Sequence, residues 1–226
     1  MKRREFLIST ILTASSLAFP EEPNQKIINQ VYLTIDDGPS KYMNQIIKIL
    51  KHQKAVFYIL GSQAINDKGF SSICNALENG HIIGNHSYNH PNFSEISLDK
   101  AKGEISKTDD IINEVHEKTG IQRTHKLFRF PYGLVKKSVL PFLEEKGYSP
   151  IGSWEKSYLD WNVDTQDWMH YSSKNYKTED EILRNCKETK QGEIILCHEK
   201  SITLEKIIPY YLENNELILP KPNFLV

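Results

Sequence analysis

Apolar residues along this chain fall into two kinds of stretch that take turns. Short continuous runs rich in β-branched and aromatic residues occur at 27–36, 55–60, 81–84, 125–130, 149–154, 161–164 and 193–197. Runs of that length and composition read as buried strands. Between them the apolar positions recur with helical spacing, as at Met43, Ile46, Ile47 and Leu50 within Ser40–His52, where Ser40 is the expected N-cap. The same periodicity predicts helices over Ser71–Asn79, Leu98–Lys118, Lys136–Lys146 and Thr203–Asn214. Gly80, Gly120 and Gly147 follow three of these as C-terminal stops.

Strand–helix alternation with short connections predicts a parallel α/β architecture. With roughly seven such units, a closed (β/α) barrel in a single domain is more economical than an open sheet. No GxGxxG or Walker pattern follows any strand, which disfavours nucleotide binding. The 226 residues, 25% charged and 39% hydrophobic, suit one ordinary globular core. A net charge of −1 with dispersed Lys and Arg leaves no footprint for nucleic acid.

The N-terminus departs from this pattern. Lys2-Arg3-Arg4 precedes an apolar run from Phe6 to Phe19, and Ser16-Leu17-Ala18 offers small residues for cleavage. This reads as a signal peptide over 1–18, with Arg3-Arg4-Glu5-Phe6-Leu7 similar to a twin-arginine export signal. Its removal would take the net charge from −1 to −3. Residues 19–26 read as a linker, 27–220 as the folded domain and 221–226 as a tail. The mature protein is expected outside the cytoplasm, periplasmic or extracellular, with no stable membrane span. Cys74, Cys186 and Cys197 are odd in number and lack CxxC spacing, so free buried thiols are expected.

The chemistry-bearing residues sit where α/β barrels build their sites, just after the strands. The first strand ends in Asp36-Asp37-Gly38-Pro39, where a bend at Gly38 would bring both carboxylates to one cavity, with a cation nearby to balance them. The third is followed by His86 and His90, whose spacing on a helical turn would let both imidazoles bind one metal. Arg129-Phe130-Pro131-Tyr132-Gly133, Asp164-Thr165-Gln166-Asp167-Trp168 and Leu196-Cys197-His198-Glu199 follow the fourth, sixth and seventh. Each segment alone is weak evidence; five in register with five strand ends are not.

In this order the five segments, spanning residues 34–198, resemble the motifs of polysaccharide deacetylases of the NodB-homology type, carbohydrate esterase family four. The resemblance implies a distorted, seven-stranded (β/α) barrel and metal-dependent removal of acetyl groups from N-acetylated sugars of a polysaccharide, such as peptidoglycan, chitin-like or exopolysaccharide N-acetylglucosamine. It implies Asp37, His86 and His90 as ligands of one divalent ion, Zn2+ first, with Co2+, Ni2+ or Fe2+ fitting the same donors. Asp36 becomes the general base, paired with Arg129, and His198 the general acid, supported by Asp167. Tyr132 contributes a backbone N–H to the oxyanion, and Trp168 and Leu196 wall the acetyl methyl. Ile35, Phe130 and Glu199 stand where the family often has Phe, Pro and Asp. Trp154 and Trp161 are assigned to the core, and the loops Asn66–Ser71 and Tyr171–Asp180 to the substrate groove. Competing readings are a related C–N hydrolase, such as a sugar deformylase or cyclic imidase, and a non-catalytic glycan-binding module. A monomer acting on a polysaccharide or oligosaccharide is the expected working unit.

Overall fold

The computed structural model describes residues 28–149 and 161–221. The expected signal peptide, the expected linker and nearly all of the expected tail lie outside the described residues, as do Trp154 and most of the strand expected at 149–154.

The chain runs β1 (Asn29–Gly38), α1 (Met43–Leu50), β2 (Val56–Ile59), α2 (Gly61–Ala64), α3 (Asp67–Glu78), β3 (Ile82–Asn85) and α4 (Leu98–Thr119). It continues through α5 (Leu140–Glu145), β4 (Val163–Asp164), α6 (Glu179–Lys187), β5 (Ile194–His198), α7 (Ile208–Asn214) and β6 (Asn215–Leu217). All strand pairings are parallel, in the order β3-β2-β1-β5-β4, and β6 joins the start of β1.

β1 is the central strand because its two faces are both buried, but with different partners. Val31, Leu33 and Ile35 pack with Met43, Ile46 and Leu50 of α1 in the main core. Thr34 and Asp36 alternate to the other face, where both receive hydrogen bonds from the buried Arg129. A second cluster of Phe93, Phe128, Phe130 and Tyr148 closes the side under α4 through edge-to-face ring contacts.

Several expectations are corrected. The predicted strand at 125–130 is reduced to two isolated bridges, Asn85 with Phe128 and Leu127 with Ser149. Pro131, which has no N–H to extend a ladder, turns the chain into a 3₁₀ turn over Pro131–Gly133. Ser40 does not cap α1: its hydroxyl accepts from Tyr42 N–H in a turn before the helix. α3 starts earlier than expected, because Asn66 accepts from Gly69 N–H as its N-cap, so 67–71 is helix and not groove loop. α6 was not anticipated, although Thr178 and Glu181 form a reciprocal capping box at its start. The final helix opens with a π turn over Thr203–Ile207, since Pro209 cannot donate to the preceding turn. Among the described residues, no helix is long and apolar enough to cross a membrane. The three cysteines are unpaired, with Cys186 and Cys197 buried.

Candidate active site

The parallel strands deliver their chemistry at one end. Asp36 and Asp37 come from β1, His86 follows β3, Asp164 ends β4, and His198 ends β5. Together with His90, Phe130, Tyr132, Gly133, Trp161, Trp168, Leu196 and Lys200, they line one cavity of about 380 Å³.

How two adjacent aspartates reach the same cavity is resolved by the β1–β2 register. Asp36 pairs with Tyr58 and Gly38 with Ile59, leaving Asp37 as an extra residue. Asp37 takes a φ of 68°, so the bend lies at Asp37 itself and not at Gly38 as expected. The bulge reverses the alternation that would have sent the two side chains to opposite faces.

Asp37 Oδ1 lies 3.7 Å from His86 Nε2 and 3.5 Å from His90 Nε2. The three donor atoms all fall within 4.8 Å of one another. The histidines are not on a helical turn, contrary to expectation: His86 leaves β3, and Ser87 and His90 both adopt positive φ to bring the second ring back. His90 N–H donates to the Ser87 hydroxyl, which holds this return. His86 Nδ1 is 2.9 Å from the Arg129 carbonyl, so Nδ1 carries the proton and Nε2 presents its lone pair. Asp37 Oδ1 is buried without a hydrogen-bond partner. An orphaned carboxylate oxygen facing two imidazole nitrogens fits a divalent metal with borderline-soft preference, and these residues suit that group. Burial and the neighbouring His86 both hold the His90 imidazole below its ordinary pKa, against the pull of Asp37 and Asp36.

Asp36 is 3% exposed, and its Oδ1 accepts from Arg129 Nη1 at 2.8 Å. The guanidinium lies 4.3 Å from the centre of the Tyr58 ring and 5.5 Å from that of Trp161. Arg129 is therefore held by charge, hydrogen bonds and ring faces at once. Trp161, assigned to the core from sequence, instead contributes to both this stack and the cavity wall. A partly buried aromatic before a strand gives no signal of that role in the sequence.

On the opposite side, His198 Nδ1 sits 2.8 Å from Asp167 Oδ1. Asp167 is fully buried and also accepts from His198 N–H, Thr203 Oγ1 and Thr165 Oγ1. Burial alone would depress the His198 pKa, but Asp167, through charge and hydrogen bond, raises it to about 9. Burial pushes the Asp167 carboxyl up, while His198 outweighs it and leaves the group below its ordinary value. With Nδ1 engaged, Nε2 is the ring atom left to meet a substrate.

Tyr132 has a φ of 57° and is exposed, with its ring edge on His90 at 4.4 Å between centroids. Trp168 is 42% exposed and Leu196 buried, both on the cavity wall. All ten residues singled out from sequence thus gather around one cavity or directly behind it. Asp164, Trp161, Phe130 and Lys200 line it too and were not singled out. The loops 66–71 and 171–180 do not line it.

A parallel α/β fold with an Asp-His-His cluster between a buried Asp–Arg pair and a buried Asp–His pair makes a hydrolase-like pocket whose donor set suits a divalent metal. The chain belongs to the polysaccharide deacetylase family, whose model matches residues 24–151. It is 36% identical over 159 residues to the peptidoglycan-N-acetylglucosamine deacetylase PgdA of Listeria monocytogenes, covering 69% of this chain and 30% of that protein. It is 32% identical over 193 residues to a peptidoglycan-N-acetylglucosamine deacetylase of Bacillus cereus, covering 80% of this chain and 62% of that one. The chain thus spans between about a third and three fifths of these relatives. A solved peptidoglycan N-acetylglucosamine deacetylase, 29% identical, superposes with a TM-score of 0.64 over 85% of this chain and 86% of that one.

Proposed function

We propose that this protein is a metal-dependent hydrolase that removes acetyl groups from N-acetylglucosamine units of a polysaccharide, peptidoglycan foremost. The observation that carries this reading is the convergence of Asp37 Oδ1, His86 Nε2 and His90 Nε2 between the Asp36–Arg129 pair and the His198–Asp167 pair. Peptidoglycan is favoured because both relatives above carry that substrate in their names.

In this reading Asp37, His86 and His90 hold one divalent ion, with Zn2+ the first candidate and Co2+, Ni2+ or Fe2+ alternatives. Once bound, such an ion supplies Lewis acidity toward the acetyl carbonyl and the attacking water. Asp36, oriented by Arg129, takes the proton of that water as general base. A backbone N–H at Tyr132 donates to the oxyanion that develops on the carbonyl oxygen. His198, protonated through Asp167, gives its proton from Nε2 to the departing amine, which would otherwise be a poor leaving group. Trp168 and Leu196 enclose the acetyl methyl. Export by a signal peptide over 1–18, a linker over 19–26 and a catalytic domain over 27–220 complete the proposal, and fit a substrate outside the cytoplasm.

The test is acetate release from N-acetylglucosamine oligomers, peptidoglycan and acetylxylan, with and without chelator. Release that stops on chelation and returns with a divalent ion supports the reading. Formate release from a formylated sugar alone would point to the deformylase reading, and glycan binding with no release to a non-catalytic module.

A further inference from the structure

Glu199 follows the acid histidine and takes no part in the chemistry above, yet its side chain is 3% exposed. Its contacts converge on the turn from Asp36 to Ser40. Glu199 N–H donates to the Asp36 carbonyl at 3.1 Å. Its Oε2 accepts from Ser40 N–H at 2.7 Å, the first backbone donor after Pro39. Its Oε1 lies against Gly38 so closely that any Cβ at that position would collide with it. From the other side, Leu60 N–H donates to the Gly38 carbonyl at 2.7 Å.

Asp37 lies inside this turn. Its positive φ is a strained conformation for a residue with a side chain, one that surrounding structure must therefore hold. Its Oδ1 has no hydrogen bond of its own. A carboxylate with no hydrogen bond at that oxygen is aimed chiefly by its backbone. The backbone, in turn, is gripped from β5 by Glu199 at residues on both sides of Asp37.

We infer that Glu199 is a positioning residue for Asp37, clamping the 36–40 turn so that Oδ1 faces the two histidines before any ion arrives. The inference rests on the reading of Asp37 as a metal ligand. Glu199 touches neither the ion nor the substrate in this role; it acts only through the turn. The absence of a side chain at Gly38 leaves the room that the Glu199 carboxylate fills.

The test is calorimetric titration of the metal-free full-length chain with Zn2+ and, separately, with Co2+, whose visible spectrum reports ligand geometry. Glu199→Met keeps the length and removes the acceptor for Ser40 N–H; it should weaken binding roughly 10–100-fold, the range seen for supports of metal ligands. Glu199→Gln keeps an oxygen for Ser40 and should stay within about threefold of the parent, with the parent Co2+ spectrum. Gly38→Ala, which displaces the carboxylate without deleting it, should weaken binding as Glu199→Met does, and decides the matter if Glu199→Met fails to fold. Parent-like binding by Glu199→Met or Gly38→Ala overturns the inference. A parent chain that folds but binds neither ion overturns the metal-ligand reading beneath it, and is distinguishable because no variant is needed to see it.

Discussion

His198 and Asp167 are joined twice, once through the ring at Nδ1 and once through the backbone N–H, each at 2.8 Å to a different carboxylate oxygen. The double attachment fixes the ring's tautomer and its orientation together. It follows that removing the Asp167 charge should alter proton transfer more than it alters structure. Burial works against protonation of His198 and Asp167 works for it, leaving a pKa of about 9 against an ordinary 6.5. The acid form therefore predominates below pH 9 and activity should fall as pH rises through that value. Asp167→Asn should move this alkaline limb to lower pH and reduce kcat by about 10²–10⁴. A pH profile of acetate release checks both. Because the folded pKa of His198 is the raised one, its contribution to stability should be complete below pH 6.5 and lost as pH rises through 9, while that of Asp167, whose folded pKa is lowered, is lost only on strong acidification; both are readable in thermal unfolding against pH.

The Asp36–Arg129 pair is buried on both sides, so its two members should fail differently. Asp36→Asn should lower kcat by about 10²–10⁴ while leaving the fold intact. Arg129→Met leaves a buried carboxylate without its cation and should cost about 3–5 kcal/mol of stability, measured by urea unfolding.

Metal binding should stabilise the fold. With an ion at 100 times its dissociation constant, the gain is about 2.7 kcal/mol, visible as a rise in Tm. His86→Ala and His90→Ala should each abolish that rise. An equal rise in the variants would mean that the ion binds elsewhere.

Leu33 is fully buried at the centre of β1, packed in the main core. Leu33→Ala should cost about 2–5 kcal/mol, and denaturant unfolding at constant slope checks it.

The strands β1, β2, β3 and β5 were legible because each is a run of local signals bounded by a turn. So were α1 and α4, whose apolar spacing needs no knowledge of the rest of the chain. Asp36, Asp37, His86, His90, Arg129, Asp167 and His198 were legible as a set through their shared place after strands. The bulge at Asp37 was not, since its positive φ is imposed by β2 and β5 and not by any neighbour in sequence. The segment around Leu127 looks like a strand but has only single-residue partners, and pairing length is a property of the partners. Trp161 looks like core until Arg129, distant in sequence, is found beneath it. β6 is only three residues long, and its pairing with β1 is a contact between the two ends of the described chain.

That last contact bears on how the protein comes to exist. β1 is made before β5 and β6, which complete it, with hydrogen bonds joining residues 161 and 186 positions apart. Contacts so far apart must be closed late and slow folding down, because the loop entropy is lost before the pairing is gained. During synthesis the hydrophobic flank of β1 that awaits β5 stays without its neighbour until β5 itself has emerged. A truncated chain ending before β5 would lack both His198 and the partner of its central strand, and should aggregate instead of accumulating in folded form.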